Sequence, residues 1–443
     1  MDLTRAAFYS LTQAACRELT GLSIPKKPVW TVVSDQSGTP YVALDTERLS
    51  FSDIRFVLSL NMDRLPEYMV LAEAIERDSG FKDGVLVDAG GFLLGPEKYN
   101  FTRGLVANFL WMYLDAGRQL NWDERRFDET FEEMKLDLLK KSIVTHVRLP
   151  LSNLRVGVEM LNFGSELQLA PATVGELERW INQDRFLPTF GGGPPNWDTS
   201  YIDRPAVLHA RRTIVGRPRP IDPLAGLGPP PQFNVDEVLT ALRLVTNAPI
   251  SVIFQEQENE GLMAMGGVGM SWGWSPSWVR RVATLDQEKA DEVSRLWQLL
   301  RTSPNSNILK VPLRRWESSL LRPILEDKLI DVWIALESLL LRGKPGELTY
   351  RATLRLAEML GIRGDNRKDI YRNAKDSYKW RSVIVHALSL DEAPKRQSLV
   401  EAVEVTTGYL RSTLLKVLEM PSKFDADELE SELLGREGTE PVR

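Results

Sequence analysis

The chain has little of what several function classes require. One cysteine, Cys16, stands among 443 residues, so no internal disulfide can form and a reducing compartment is expected. Histidine occurs three times, at 146, 209 and 386. One cysteine and three scattered histidines do not make a Cys/His zinc site, and no metal or cofactor is expected. No apolar run approaches the length that spans a bilayer, and Met1-Asp2-Leu3-Thr4-Arg5 lacks the basic start and apolar stretch of a signal peptide. The expected setting is therefore cytoplasmic, away from membranes. Positive charge is short as well. Lys+Arg 55 against Asp+Glu 61 leaves −6, so any contact with nucleic acid has to be local.

What the chain does have is a globular composition, 43% hydrophobic and 26% charged, with length for about two or three domains. Residues 1–216 mix two periodicities. Helical patterns are expected over 3–20, 51–60, 64–78, 101–118 and 123–141, and the 101–118 segment is apolar nearly all round, as a buried helix is. Trp30–Leu44, Ile143–Leu149, Leu154–Leu161, Glu166–Leu169 and Tyr201–Val215 read as strands. Thr173 with Glu176 three residues on forms a capping box that opens a short helix to Ile181. Gly191–Pro195 and Gly266–Gly269 lack the rest of a phosphate-loop or dinucleotide fingerprint and read as loops. Six prolines between 217 and 232 predict a linker. Residues 233–284, with a helix Val235–Thr246 and strands Ile250–Gln255 and Met263–Trp274, read as a bridging element.

From 285 to 420 the pattern is helical. Residues 285–302 are amphipathic, and Pro323 can open the next helix at its first position. Leu325, Leu329, Trp333, Leu336 and Leu340 then mark one face, and Gly361 closes a helix begun at Glu347. Further helices run from Asp365 or Asn366 toward Leu388 and from Arg396 to Leu418. Short connections between long amphipathic helices predict an antiparallel bundle. The expected fold class is thus an α+β N-terminal region followed by an all-α antiparallel helical bundle. After Pro421 seven acids stand against three bases, and 421–443 is expected to be a disordered acidic tail.

Between Arg342 and Arg381 eleven Lys/Arg stand against five Asp/Glu, a surplus of six in an acidic chain. Such a field suits a polyanion. The plainer alternative is a solvated helix face. Arg372, Lys375, Lys379, Ser382 and His386 step by three or four residues along one stripe. Ile370, Ala374, Tyr378, Arg381 and Val385 make a second, mostly apolar stripe. A guanidinium at 381 on that face needs compensation, and Glu337, in the apolar run Ala335–Leu341, is a candidate partner. Histidine gives and takes protons near neutrality and arginine offers a planar fork to phosphate. Arg381 and His386 could therefore cut a phosphodiester without a metal. Spacing alone is a weak signal. Arg204–His209 repeats it in a β-like stretch, with Pro205 after the arginine, and is set aside as a decoy. Five residues turn an ideal helix by about 140°, so both side chains reach one cleft only at a helix–helix or dimer interface.

The run Ile330-Asp331-Val332-Trp333-Ile334-Ala335-Leu336-Glu337-Ser338-Leu339-Leu340 is followed by Glu347-Leu348-Thr349-Tyr350-Arg351, Leu354-Arg355-Leu356-Ala357 and Arg381-Ser382-Val383-Ile384-Val385-His386. In order and spacing, over residues 308–420, this resembles the Apea-like HEPN domain. One departure is Ala387, where that family often has glycine. The resemblance implies a HEPN-like bundle that pairs as a homodimer and brings two Arg-x4-His motifs to one cleft. It implies a metal-independent endoribonuclease of the kind used in toxin–antitoxin and phage-defence systems, with RNA as partner. His386 would be the general acid/base and Arg381 would stabilise the phosphate, both as catalytic residues. Lys379, Ser382, Lys375 and Arg372 would bind substrate, with Arg355, Glu337 and Tyr378 in support. The first half would sense a trigger ligand or protein, or hold the bundle inactive. The alternatives are a non-catalytic dimerisation module and a module that binds RNA or a nucleotide without cutting it.

Overall fold

A computed structural model describes residues 2–20, 26–34, 36, 40–49, 64–78, 105–106, 109–110, 112–114, 120–138, 142–182, 205–215, 235–259, 282–341, 348–361, 365–386 and 390–429. The expected helix 51–60, the glycine runs at 191–195 and 266–269, the linker 217–232 and the strand 263–274 lie outside the described residues. The chain forms two compact units from interleaved segments. The first takes Met1–Pro150, Gly164–Phe233 and Val252–Gly273; the second takes Leu151–Phe163, Asn234–Ser251 and Trp274–Arg443. The first mixes helices and strands, and the second is largely helical.

In the first unit α1 (Asp2–Thr20), α2 (Pro66–Arg77) and α3 (Glu124–Leu138) share one core. Phe8, Phe109, Phe127 and Phe131 meet there with ring centroids 4.7 to 6.3 Å apart. Leu105, Val106, Leu110, Tyr113 and Leu114 are buried beside them, as an apolar face on every side requires. Cys16 lies in this core as a free thiol, and burial pushes its pKa up to about 11 against the pull of Arg126 and Tyr113.

The strands of this unit begin with an antiparallel hairpin, β1 (Lys26–Ser34) with β2 (Pro40–Leu49). A sheet follows in the order β5 (Leu167–Pro171), β6 (Pro205–Val215), β3 (Ser142–Val156) and β7 (Glu256–Asn259). Helix α4 (Val174–Asn182) opens on the predicted capping box: Glu176 N donates to Thr173 Oγ1 at 3.2 Å, and Thr173 N donates to Glu176 Oε2 at 2.9 Å. Leu177 and Trp180 of α4 pack with Val207 and Phe254.

In the second unit the far half of β3 pairs in parallel with β8 (Ala283–Leu285), and β4 (Leu161–Phe163) follows in sequence. The helices are α5 (Val235–Thr246), α6 (Gln287–Thr302), α7 (Ser306–Leu321), α8 (Leu325–Leu340), α9 (Leu348–Leu360), α10 (Asp365–Val385) and α11 (Leu399–Glu419). Asp286 caps α6, and Ser398 with Glu401 forms a full capping box for α11. No helix among the described residues is long and apolar enough to cross a membrane.

Four expectations need correction. Helix α7 was not predicted because Pro312 sits inside it and costs a backbone hydrogen bond. Leu309, Pro312 and Trp316 are all buried at helical spacing, so packing carries the helix through. Pro323 is not in the first turn of α8, which starts at Leu325 after an extended Ile324. The bridging element 233–284 is divided: α5 belongs to the helical unit, whereas β7 starts at Glu256 and belongs to the first. Of the expected tail, residues 421–429 are described, and Phe424 and Ala426 there find buried seats that an average over its charges conceals.

A buried hydroxyl ties three helices together. Ser377 on α10 accepts from Trp333 Nε1 of α8 at 3.0 Å and from Thr406 Oγ1 of α11 at 2.6 Å. Ser377, Trp333 and Thr406 are each 0% exposed. Ser377→Ala strands both donors away from water and is expected to cost about 1–3 kcal/mol. Urea unfolding of the full chain measures it, and an unchanged midpoint would contradict the role given to this serine.

Candidate functional site

Helix α10 sets out the candidate residues by its rotation. With Ser377 facing inward, Tyr378 is buried and its ring lies edge-on to Trp333, centroids 4.7 Å apart. Burial first, then the charge of Glu337 and hydrogen bonding to it, push the Tyr378 phenol above its ordinary pKa; Arg381 and Thr349 pull the other way. The phenol therefore stays protonated near neutral pH.

Arg381 follows on the same stripe. Its guanidinium carbon stands 5.4 Å from the centre of the Tyr378 ring, and Nη2 stands 3.5 Å from both carboxylate oxygens of Glu337. Both side chains are 22% exposed. At 3.5 Å the pair is looser than a charge-assisted hydrogen bond, which closes to about 2.7–2.9 Å. Arg381 Nε and Glu337 Oε1 are buried and make no hydrogen bond. The guanidinium is thus compensated but not saturated, and the expected pairing with Glu337 is present.

The other stripe faces water. Lys375, Lys379 and Arg372 are exposed, with Arg372 3.7 Å from Asp369, and Ser382 is partly buried. His386 is exposed in the turn that ends the helix, where its N–H donates to Ser382 O at 3.0 Å. Arg381 is partly buried and His386 exposed, in keeping with the 140° offset of an ideal helix.

Arg355 is elsewhere. Its side chain is 1% exposed, donates to Leu340 O at the end of α8, and meets Asp427 at 2.6 Å. The structure therefore brings Glu337, Tyr378 and Arg381 together and gives Arg355 an interior role.

The decoy histidine has a setting of its own. His209 on β6 lies 3.7 Å from Glu176, which is 3.0 Å from Arg148. Arg148 also meets Glu256 at 3.4 Å, and Glu256 accepts from Trp180 Nε1 at 3.0 Å. Sequence reasoning did not find this cluster. The available signal was the alternation that puts His146 and Arg148 on one side of β3, opposite Glu258 and Glu256 of β7. It likewise missed Ser377, whose only mark is a small polar residue between the two stripes. Arg204 lies outside the described residues.

Comparison with protein-family models, with curated proteins and with solved structures finds no match.

Burial holds the His209 pKa below its ordinary value; Glu176 opposes this, while Arg148 and His146 add to it. A histidine kept neutral in the fold binds its proton more readily once unfolded. The unfolded state therefore holds more protons in acid, and stability falls as pH drops below about 6.5. Thermal melts between pH 7.5 and 5.5 should show this loss, and His209→Gln should flatten it. Parallel curves for both proteins would refute the assignment.

Proposed function

We propose that the chain is a metal-independent endoribonuclease of the HEPN type, active as a homodimer, in which His386 moves protons and Arg381 holds the phosphate. The observation that supports this best is the presentation on α10 of an exposed imidazole, an exposed cationic stripe and an unsaturated guanidinium. RNA brings its own nucleophile. The 2′-hydroxyl attacks the adjacent phosphorus and gives its proton to one imidazole. The bond from phosphorus to the 5′-oxygen breaks, and that oxygen takes a proton from a second imidazole. The products end in a 2′,3′-cyclic phosphate and a 5′-hydroxyl. Each chain carries one such histidine, so two facing chains supply the base and the acid.

Arg381 stabilises the charge that builds on the non-bridging oxygens. Its loose contact with Glu337 lets it exchange carboxylate for phosphate, while Glu337 and Tyr378 keep it aimed. Lys379, Ser382, Lys375 and Arg372 hold flanking phosphates; Lys375 to His386 spans about 16 Å along an ideal helix. The first unit serves as the sensor, and the setting is defence or growth arrest inside the cell. The same Arg381–Glu337 contact favours a second reading, in which the arginine only neutralises a carboxylate and the region pairs or binds RNA without cutting it.

Labelled RNA incubated with purified full-length protein in EDTA separates the two. Cleavage is expected, with a loss of about 100-fold or more in His386→Ala and in Arg381→Ala and little change in His209→Ala. Binding without cleavage would establish the second reading. Light scattering of the full chain is expected to give a dimer mass. A monomer at every concentration would sink the shared cleft.

A further inference from the structure

Helices α9 and α10 form a hairpin with a solvent-facing seam. Helix α9 ends at Leu360 and α10 starts at Asp365, so the two run antiparallel. Tyr350, Leu354 and Glu358 step by four along α9 and share one face. Glu358 meets Arg367 of α10 at 2.7 Å, so that face borders the seam. Counted from this pair, Tyr350 lies eight residues back along α9 and Lys375 eight on along α10, about 12 Å along each axis. The two residues are therefore level with each other on neighbouring helices.

The two walls of the seam differ in chemistry. On α9, Tyr350 is 52% exposed and Leu354 is half-buried. On α10, Arg372, Lys375 and Lys379 are exposed. The acids of this stretch are engaged elsewhere: Asp376 pairs with Arg396 at 3.0 Å, and Asp369 stands 3.7 Å from Arg372. Among the described residues Lys375 and Lys379 meet no carboxylate. An apolar partner surface laid over the tyrosine would strip water from these ammonium groups and return no anion. A nucleic-acid strand brings a phosphate for each cation and a flat base for the ring.

We infer that this seam is a track for one unpaired RNA strand, on which Tyr350 stacks a base while Arg372, Lys375 and Lys379 hold the flanking phosphates. The track rests on the RNA reading proposed above and adds to it the form of the substrate. A base within a duplex has both faces covered by its neighbours, so an exposed ring selects for unpaired strand. Every base offers a π-face, so the same ring selects little by sequence. Lys375 stands about 16 Å along α10 from His386. The base held by Tyr350 therefore lies away from the scissile linkage, and Tyr350 binds substrate without taking part in proton transfer.

The test uses the full chain and a fluorescent 2′-O-methyl RNA of about 12 nucleotides, which lacks the nucleophile and cannot be cut. Titrated by anisotropy, Tyr350→Ala should bind it about ten-fold or more weakly, and Tyr350→Trp should keep the affinity. With an abasic strand of the same length, wild type and Tyr350→Ala should bind alike. Pairing the strand with its complement should remove the advantage that Tyr350 confers. Equal binding of the intact strand by wild type and Tyr350→Ala overturns the inference, and so does the absence of binding. An equal loss on the abasic strand makes the tyrosine structural and overturns it too. Cleavage of ordinary RNA is scored separately. Binding through Tyr350 without cleavage keeps the track and removes the nuclease, whereas cleavage indifferent to Tyr350 does the reverse.

Discussion

The orientation of everything on α10 depends on a hydroxyl that water does not reach. Ser377 accepts from Trp333 and Thr406 at once, so the helix cannot turn about its axis without leaving two buried donors unmatched. With that face held inward, Tyr378 and Arg381 arrive at Glu337, while Lys375 and Lys379 point to solvent. The chemistry of the candidate site is therefore aimed by a contact that takes no part in it.

Positive charge in this unit divides between surface and interior. Helices end on carbonyls with no partner in their own ladder, and here cations from distant segments take several of them. Arg355 reaches Leu340 O, Lys416 reaches Met359 O at 2.8 Å, and Arg411 reaches Leu244 O at 2.6 Å. Each places a full charge where the helix dipole favours it. Arg367 instead pairs with a side chain, the buried carboxylate of Glu358, at 2.7 Å. The basic window between 342 and 381 is thus a composite. Part of it holds the helices together, and the exposed part is narrower than a sum of charges suggests.

Much of this was legible beforehand where local chemistry decides the outcome. The capping box at Thr173 and Glu176 and the faces of α8, α10 and α11 follow from spacing, and so does the burial of Leu105, Val106, Phe109, Leu110, Tyr113 and Leu114. The pairing of Arg381 with Glu337 was legible for a related reason: a charge placed on an apolar stripe needs a partner. What escaped was set by tertiary contact. Pro312 argues against a helix until the burial of Trp316 is known. Phe424 and Asp427 look like part of an acidic tail until Asn305 and Arg355 are placed beside them. The cluster around Arg148 joins residues more than a hundred positions apart, and no single stretch of sequence announces it.

The interleaving of the two units bears on how the chain is made. A nascent chain emerges amino end first, and domains fold as units while they emerge. The first unit lacks its β7 strand until Asn259 has left the ribosome, and the β3 segment Leu154–Val156 waits for Ala283–Leu285. Neither unit can be completed before well over half the polypeptide exists: the core of α1, α2 and α3 has all its residues by 138, but β3 stays without its β7 and β8 partners for much of translation. Chaperone demand on this protein should be concentrated in that interval.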